Sequence, residues 1–330
     1  MLRNRDFQNF VLLVKLARRF GFSIAFKSFL DTVARRLPFE EMYHRTHQAR
    51  YGACKQYLLK NYHAEIVEQV KKYNALSVEE LKVLDKQSNI WFFWWQGIEN
   101  APDLVKTCVK SIKLWAGDRK VVFLSKDNYR EYIEMPTFMY KKLNAGSISL
   151  AHFSDVLRLM LLSEYGGVWV DSTLLMSGKF LDLIDGYSFY TVKHKTDEGW
   201  HISDGSWATF FLAAAPEDPV ISFCRDMLLA YWEKEDCLLC YLVFDCFLSI
   251  GYDSVPIIRR EIDLVPVNNT GVFDMLYGQR HDIVDMNQLQ EVLNRAQIHK
   301  LTYKQKYNEE VGSKRTLYGM VKAIALRLEE

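Results

Sequence analysis

Asp155 and Arg158 stand one turn apart in a helical stretch whose residues Val156 to Leu162 are, apart from Arg158, wholly apolar. Residues three apart share a helix face. Burying such a pair is costly unless both charges are matched or used. Gly166 and Gly167 then end the helix, because glycine accepts the left-handed backbone of a C-terminal cap. Val168-Trp169-Val170 reads as a short buried strand that stops on an acid, Asp171. Continued as a strand, the chain puts Asp171 and Thr173 on one face and Ser172 on the other. Ligands of open α/β sheets sit beyond the carboxyl ends of strands, which is where Asp171 falls.

Further residues have the types that do chemistry. Asp245 lies in an apolar helical segment, Tyr241 to Leu248, where a buried acid implies a raised pKa or a polar partner. It is a candidate for orienting a substrate hydroxyl. Trp91, Trp94 and Trp95 share one strand, and neighbours on a strand face opposite ways. Asp204 and Trp207 end a polar loop, His194 to Ser206, that reads as cover for a site. His281, Asp282 and Asp285 have metal-ligand side chains but read better as a solvated N-terminal turn. Cys237-x-x-Cys240 has no second pair at zinc spacing and reads as buried thiols.

The elements that must position these groups follow from periodicity. Residues 1–85 read as helical throughout, and Ser77 with Glu80 reads as a capping box. From Ile90, short β-branched or aromatic runs alternate with amphipathic helices, the pattern of a mostly parallel sheet. Strands are expected at 89–95, 120–125, 168–172, 187–193, 207–214 and 298–303. Helices are expected at 103–115, 127–135, 152–164, 219–233, 236–250, 287–296 and 315–328. The chain thus divides into a helical region, 1–85, and an α/β domain, 86–330. A hydrophobic content of 49% suffices for one large core. The net charge of +1 gives no ground for nucleic-acid binding.

The motif Ser154-Asp155-x-x-Arg158, then Tyr165-Gly166-Gly167-x-x-x-Asp171-x-Thr173, resembles the nucleotide-sugar site of retaining glycosyltransferases of the GT-A fold. More closely the chain is similar to bacterial capsular polysaccharide synthesis proteins, relatives of the mannosyltransferase and large clostridial toxin group. Ile90 to Gly97 with Asn100-Ala101-Pro102 resembles that family's first strand and turn, and Val121 to Tyr132 its second unit. Tyr231-Trp232, Tyr241, Asp245, Lys300 to Lys304 and Thr316 to Gly319 resemble its C-terminal half. The resemblance covers roughly residues 87–320.

The resemblance implies a Rossmann-like α/β fold with a mostly parallel central sheet flanked by helices, joined to the N-terminal helical region. It implies transfer of a sugar, with retention, from a nucleotide sugar, a UDP-sugar first, to a lipid-linked polysaccharide repeat unit. Asp171, Asp245 and Lys300 are then the catalytic candidates. Trp94, Asp155, Arg158, Gly167, Asp171 and Lys300 are the donor-binding ones: the two acids for ribose, Arg158 to fix Asp155 or meet the sugar, Trp94 against the base. Lys300 stands in a late segment that completes diphosphate or metal sites, with His299 before it and Lys304 after; Lys314 and Arg315 could close over the donor. The usual motif is Asp-x-Asp, and here Thr173 replaces the second acid. A divalent metal, Mn²⁺ or Mg²⁺, is therefore expected to be held weakly, by Asp171, Thr173 and His299. Cys240 also stands where the family often carries an acid. Both departures keep open the alternative, a non-catalytic sugar-nucleotide or glycan-binding scaffold.

Residues 1–37 carry eight Lys or Arg against Asp6 and Asp31, interleaved with residues such as Phe7, Leu13, Phe20 and Phe26. No apolar run approaches the length of about 20 residues that spans a bilayer. A basic amphipathic segment fits an anionic membrane surface, or else docks on its own domain. The six cysteines form no disulfide framework and nothing reads as a secretory signal, the pattern of a reducing cytoplasm. With the basic segment, the family resemblance implies a peripheral place at the inner face of the membrane.

Overall fold

A computed structural model describes residues 2–194, 199 and 201–328, without the side chains of 2–9. Four helices come first: α1 (Leu2–Phe20), α2 (Phe22–Ala34), α3 (Glu40–Asn61) and α4 (His63–Asn74). Then come β1 (Ile90–Phe93), α5 (Asp103–Trp115), β2 (Val121–Leu124), α6 (Thr137–Asn144), α7 (Leu150–Tyr165), β3 (Gly167–Val170), β4 (Leu174–Met176), β5 (Phe189–Thr191) and β6 (Phe211–Ala214). The chain continues through α8 (Pro219–Lys234), α9 (Val243–Ser254), α10 (Pro256–Leu264), α11 (Asp274–Tyr277), α12 (Met286–Arg295), β7 (Ile298–Lys300), β8 (Glu310–Val311), β9 (Lys314–Arg315) and α13 (Leu317–Ala325).

The central sheet has the order β2-β1-β3-β6-β5. β1 pairs parallel with β2 and with β3; β6 runs antiparallel to both β3 and β5. Four of its five strands therefore point one way, the mostly parallel α/β arrangement expected. β1, β3, β5 and β6 are buried along their whole length, as strands covered on both faces must be. A separate ladder pairs β4 antiparallel with β7, placing Leu174 opposite Lys300.

Tertiary contacts shift several elements. The helix expected at 127–135 is only a single turn at Tyr129–Glu131, and α6 starts after Pro136. There the Asn128 side chain binds the Ser125 amide and the Phe123 carbonyl, holding the chain in a turn. The segment 236–242, expected to be helical, is irregular. Tyr231 Oη donates to the Cys237 carbonyl at 2.7 Å and accepts from the Leu239 amide at 2.8 Å. Ser77 and Glu80 do form a capping box, but on a turn of three residues.

The N-terminal helices share the main core: Leu16, Phe20, Ile24, Tyr51, Leu58, Tyr62 and Ile66 lie in one buried cluster with Trp91, Val168 and Leu212. Packing is thus continuous across residues 85 and 86. All six cysteines are free, five of them buried, and Cys240 Sγ lies 3.8 Å from Cys246 Sγ.

Gly167 opens β3 at φ +102°, and a Cβ there would stand 2.4 Å from the Asn89 carbonyl oxygen. The expected donor-binding role of Gly167 is corrected by its place, at the end of β3 opposite Asp171, where it lets β1 and β3 approach. Gly167→Ala should cost more than about 2 kcal/mol through strain and clash. Chemical denaturation checks this; an unchanged unfolding midpoint and slope would refute it.

Candidate active site at the carboxyl end of β3

β3 ends at Val170, and the chain turns at once: the Leu174 amide donates to the Asp171 carbonyl at 3.1 Å. The expected alternation of Asp171 and Thr173 on one strand face therefore does not extend so far. The turn leads into β4, whose register with β7 brings Lys300 to the start of that ladder. Lys300 Nζ donates to Asp171 Oδ2 at 2.8 Å, across 129 residues of sequence. Trp169 Nε1 donates to Asp171 Oδ1 at 3.0 Å, and Arg158 Nη2 lies 3.5 Å from that same oxygen.

α7 supplies the rest. Ser149 caps its first turn by accepting the His152 amide. The next turns present Asp155 and Arg158, joined at 2.8 Å. Arg158 also donates to the Thr209 carbonyl, and its guanidinium lies 5.1 Å over the Trp169 ring. Its Nε is buried without a partner. Asp245, on α9, accepts from Trp207 Nε1 at 3.0 Å. Asp155 raises the Asp245 pKa, and Tyr241 senses Asp155, Asp171, Arg158 and Asp245 together, so these groups form one electrostatic cluster.

Three carboxyls share two cations here, and their pKa values separate. Burial pushes Asp171 up, but the charges of Lys300 and Arg158, with hydrogen bonds from Lys300 and Trp169, hold it below the usual carboxylate value. Asp155 is raised by burial, against the pull of Arg158 and His152. Asp245 is pushed up to about 7, by burial first, with Asp155 adding to it and the Trp207 bond opposing. At neutral pH the cluster thus holds one firm anion and one acid ready to give or take a proton.

Trp94 is half-buried just beyond β1 and lines a cavity of about 230 Å³ with Gly97, Ile98, Ser125 and Asn128, at the carboxyl ends of β1 and β2. Its Nε1 is buried without a partner. Its ring meets Tyr303 edge-on at 5.6 Å, on the segment that follows Lys300. Trp95 packs instead on Tyr129 and Phe153, and Trp91 donates to the Gly166 carbonyl at 2.8 Å.

The other expected residues lie elsewhere. His299 sits opposite Leu175 in the ladder, buried, with Nε2 2.9 Å from Ser177 Oγ. Adjacent residues of a strand face opposite ways, so Lys300 meets Asp171 and His299 does not. Thr173 is buried, and its carbonyl accepts from the Leu301 amide. Lys304, Lys314 and Arg315 are exposed, the last two on the β8–β9 hairpin. His281 accepts from the Asn308 amide and Asp285 caps α12, the structural reading of that acid-rich turn. Asp204, at φ 43°, accepts from the Gly199 amide; part of its loop lies outside the described residues.

The donors do not fit a protein-held divalent metal. Among the described residues no group of three His, Cys, Asp or Glu converges on one point. Both Asp171 oxygens already accept, one of them from an ammonium that stands where a cation would bind.

Sequence reasoning missed Trp169, Phe210 and the Thr209 carbonyl. The Phe210 carbonyl accepts the Asp171 amide, and Lys300 Nζ lies 4.9 Å over the Phe210 ring. The two-residue spacing of Trp169 and Asp171 on one strand was the available signal for Trp169.

Fold and site define an α/β protein with a charged cluster at the carboxyl end of a central parallel strand. The chain belongs to the capsular polysaccharide synthesis protein family, whose model matches residues 38–321. It is also similar to an O-glycosyltransferase, PaGT, of Phomopsis amygdali, 27% identical over 114 residues. That match spans 32% of this chain and only 28% of the relative. A structural likeness to the PaToxG glycosyltransferase covers 79% of this chain and 99% of that one, at 15% identity and a TM-score of 0.38.

Asp245 gives a pH signature with a definite sign. Its folded value near 7 exceeds the unfolded one. The stability it contributes is therefore fully present below about pH 4 and gone once pH has risen through its folded value. Against Asp245→Asn, the unaltered protein should lose up to roughly 4 kcal/mol over that window, at about 1.4 kcal/mol per pH unit. Denaturant melts from acid to neutral pH measure it; parallel curves for the two proteins would remove Asp245 from the cluster.

Proposed function

We propose that the chain is a GT-A-type glycosyltransferase that moves a sugar from a nucleotide sugar, a UDP-sugar, to a lipid-linked polysaccharide repeat unit, with retention. One observation carries this reading: the Lys300–Asp171–Arg158–Asp155 cluster lies beyond β3, while a half-buried tryptophan with an unpartnered N–H lines a cavity beyond β1. Asp171 and Asp155 are acceptors suited to ribose hydroxyls. Trp94 offers a face for the uracil ring, and its free N–H a donor. Lys300 supplies positive charge where the diphosphate leaves, and the buried Arg158 holds Asp155 and Asp171 in place behind it.

In the transfer step the bond from the anomeric carbon to the diphosphate oxygen breaks. The acceptor hydroxyl bonds to the same face of that carbon, and its proton passes to the departing phosphate oxygen. No carboxylate of the cluster has to act as a covalent nucleophile. Asp245, protonated near neutrality, donates to a hydroxyl of the sugar or the acceptor and so orients it. Phe210, Phe273 and the exposed Tyr277 continue outward from Lys300 in ring contacts of 5.8 and 5.4 Å, a surface on which sugars of the acceptor can stack. The enzyme would work at the inner face of the cell membrane, where lipid-linked repeat units are assembled.

Asp171→Asn keeps the shape and removes the charge that Lys300 and Arg158 face. It should reduce kcat/KM at least roughly a hundredfold in a protein that still folds, with a lowered melting temperature because Lys300 and Arg158 lose the anion between them. Thermal shifts with a panel of nucleotide sugars identify the donor first, since a bound ligand raises the melting temperature. Wild-type turnover by the folded variant would sink the assignment. Donor binding with neither transfer nor hydrolysis would mark the protein as a scaffold.

Lys300 already occupies the cation position at Asp171, so transfer should survive excess chelator while Lys300→Ala loses it. Loss of activity in chelator with recovery in Mn²⁺ would return a metal to the site.

A further inference from the structure

α2 buries one face and leaves an apolar face exposed. Ile24, Ala25, Ser28, Asp31 and Ala34 face inward and are buried. Phe22, Phe26, Phe29, Leu30 and Val33, at i, i+4, i+7, i+8 and i+11, face outward and are exposed. Phe22 is 76% exposed, and its ring stacks on Phe26 at 5.9 Å. Phe10, 64% exposed, and Leu12 are exposed on α1, which packs against α2, and Leu37 and Phe39 are exposed just past α2. Soluble chains rarely expose a continuous apolar patch larger than a few hundred Å².

Between residues 10 and 39 the exposed charged side chains are all basic, Lys15, Arg18, Arg19, Arg35 and Arg36, with Glu40 and Glu41 following. Arg19 pairs with Glu235 and Arg35 with Asp31, which leaves Lys15 and Arg18 on α1 as the cations the proposal uses. Asp31 points the other way, fully buried and bound by Arg50 at 2.8 Å. Two copies meeting through this face would bring like charges together, which opposes a self-interface. No described helix is long and apolar enough to cross a membrane. These residues, 10–37, precede the segment that the family model matches, 38–321.

We propose that the outer face of α1 and α2, continued by Leu37 and Phe39, seats on the surface of an anionic lipid bilayer. The phenylalanines enter the boundary between headgroups and acyl chains, and Lys15 and Arg18 meet lipid phosphates. The surface is fixed to the catalytic half. α3 follows it, and there His47 stacks on His201 at 5.7 Å and Gln48 Nε2 donates to the Gly199 carbonyl at 3.1 Å. His194, at the head of the same loop, meets Phe273 at 5.1 Å, two ring contacts from Lys300. If the transfer reading holds, a docked molecule thus keeps its site beside the layer that carries the acceptor.

The test uses the full chain and vesicles, with no donor present, so its outcome is independent of the transferase assignment. Binding to phosphatidylcholine vesicles with and without phosphatidylglycerol is measured by sedimentation, across a salt series. The unaltered chain should prefer the anionic vesicles. Combined Phe22→Ser, Phe26→Ser and Phe29→Ser should weaken binding roughly a hundredfold with an unchanged melting temperature. Lys15→Gln with Arg18→Gln should remove much of the salt-sensitive part alone. Equal vesicle binding by the triple variant would overturn the proposal. So would a dimer of the unaltered chain that the variant dissolves, with vesicles bound by neither. Amide exchange on the unaltered chain is the second measurement: slowed exchange in 22–37 on anionic vesicles is expected, and no change there overturns the proposal.

Discussion

The ladder between β4 and β7 is the constraint on which the site depends. Only three residue pairs long, it joins the turn after β3 to a segment more than a hundred residues later. Its register decides which side chain of the His299-Lys300 pair reaches Asp171. A slip of one residue would send an imidazole to the carboxylate and bury the ammonium near Ser177, because the side-chain period of a strand is two. The ladder is held by an apolar cluster in which Leu175 and Leu301 pack with Met275, Leu289, Leu317 and Val321. Asn269 adds to this: its side chain binds the Gln297 and Ile298 amides and the Ile298 carbonyl. Distant and chemically silent residues thereby set the position of one ammonium group.

That ammonium in turn makes the carboxyl cluster tolerable. Three acids in a largely buried region repel one another and lose hydration. Lys300 and Arg158 stabilise Asp171 as an anion, while Asp245 relieves the remaining repulsion by holding its proton to near neutrality. The aromatic groups contribute as well. Trp169 donates to Asp171 and lies under Arg158, and Trp207 donates to Asp245. Each fixes a charged side chain without adding another charge. A rigid cluster of this kind suits a reaction in which charge develops on a leaving group, since the stabilising groups need not reorganise.

The helical N-terminus belongs to the same body. Its inner residues enter the main core, and Lys55 on α3 binds Ser249 and Asp253 on α9, the helix that carries Asp245. Arg19 on α1 pairs with Glu235, just past α8. Any load on the outer face of α1 and α2 is therefore passed through packed helices to the frame of the site, not through a flexible tether.

Local sequence was enough for the central unit. The apolar α7, the glycine stop, β3 and the acid at its end follow from periodicity and backbone preference within about twenty residues, and the structure places them as expected. α5 and the parallel strands β1 and β2 were legible for the same reason. Local preference failed where a side chain from afar decided the backbone. Tyr231 holds 237–239 out of helix, and Asn128 with Pro136 moves a helix from 127–135 to α6. β4 was invisible because three apolar residues after a turn become a strand only when β7 lies beside them. The sequence by itself determined which residue types were present and that Asp171 would stand at a strand end. Tertiary structure decided that Lys300 and not His299 meets it, and that burial raises the Asp245 pKa to about 7, because register and burial are properties of segments that lie far apart in the chain and meet only when it folds.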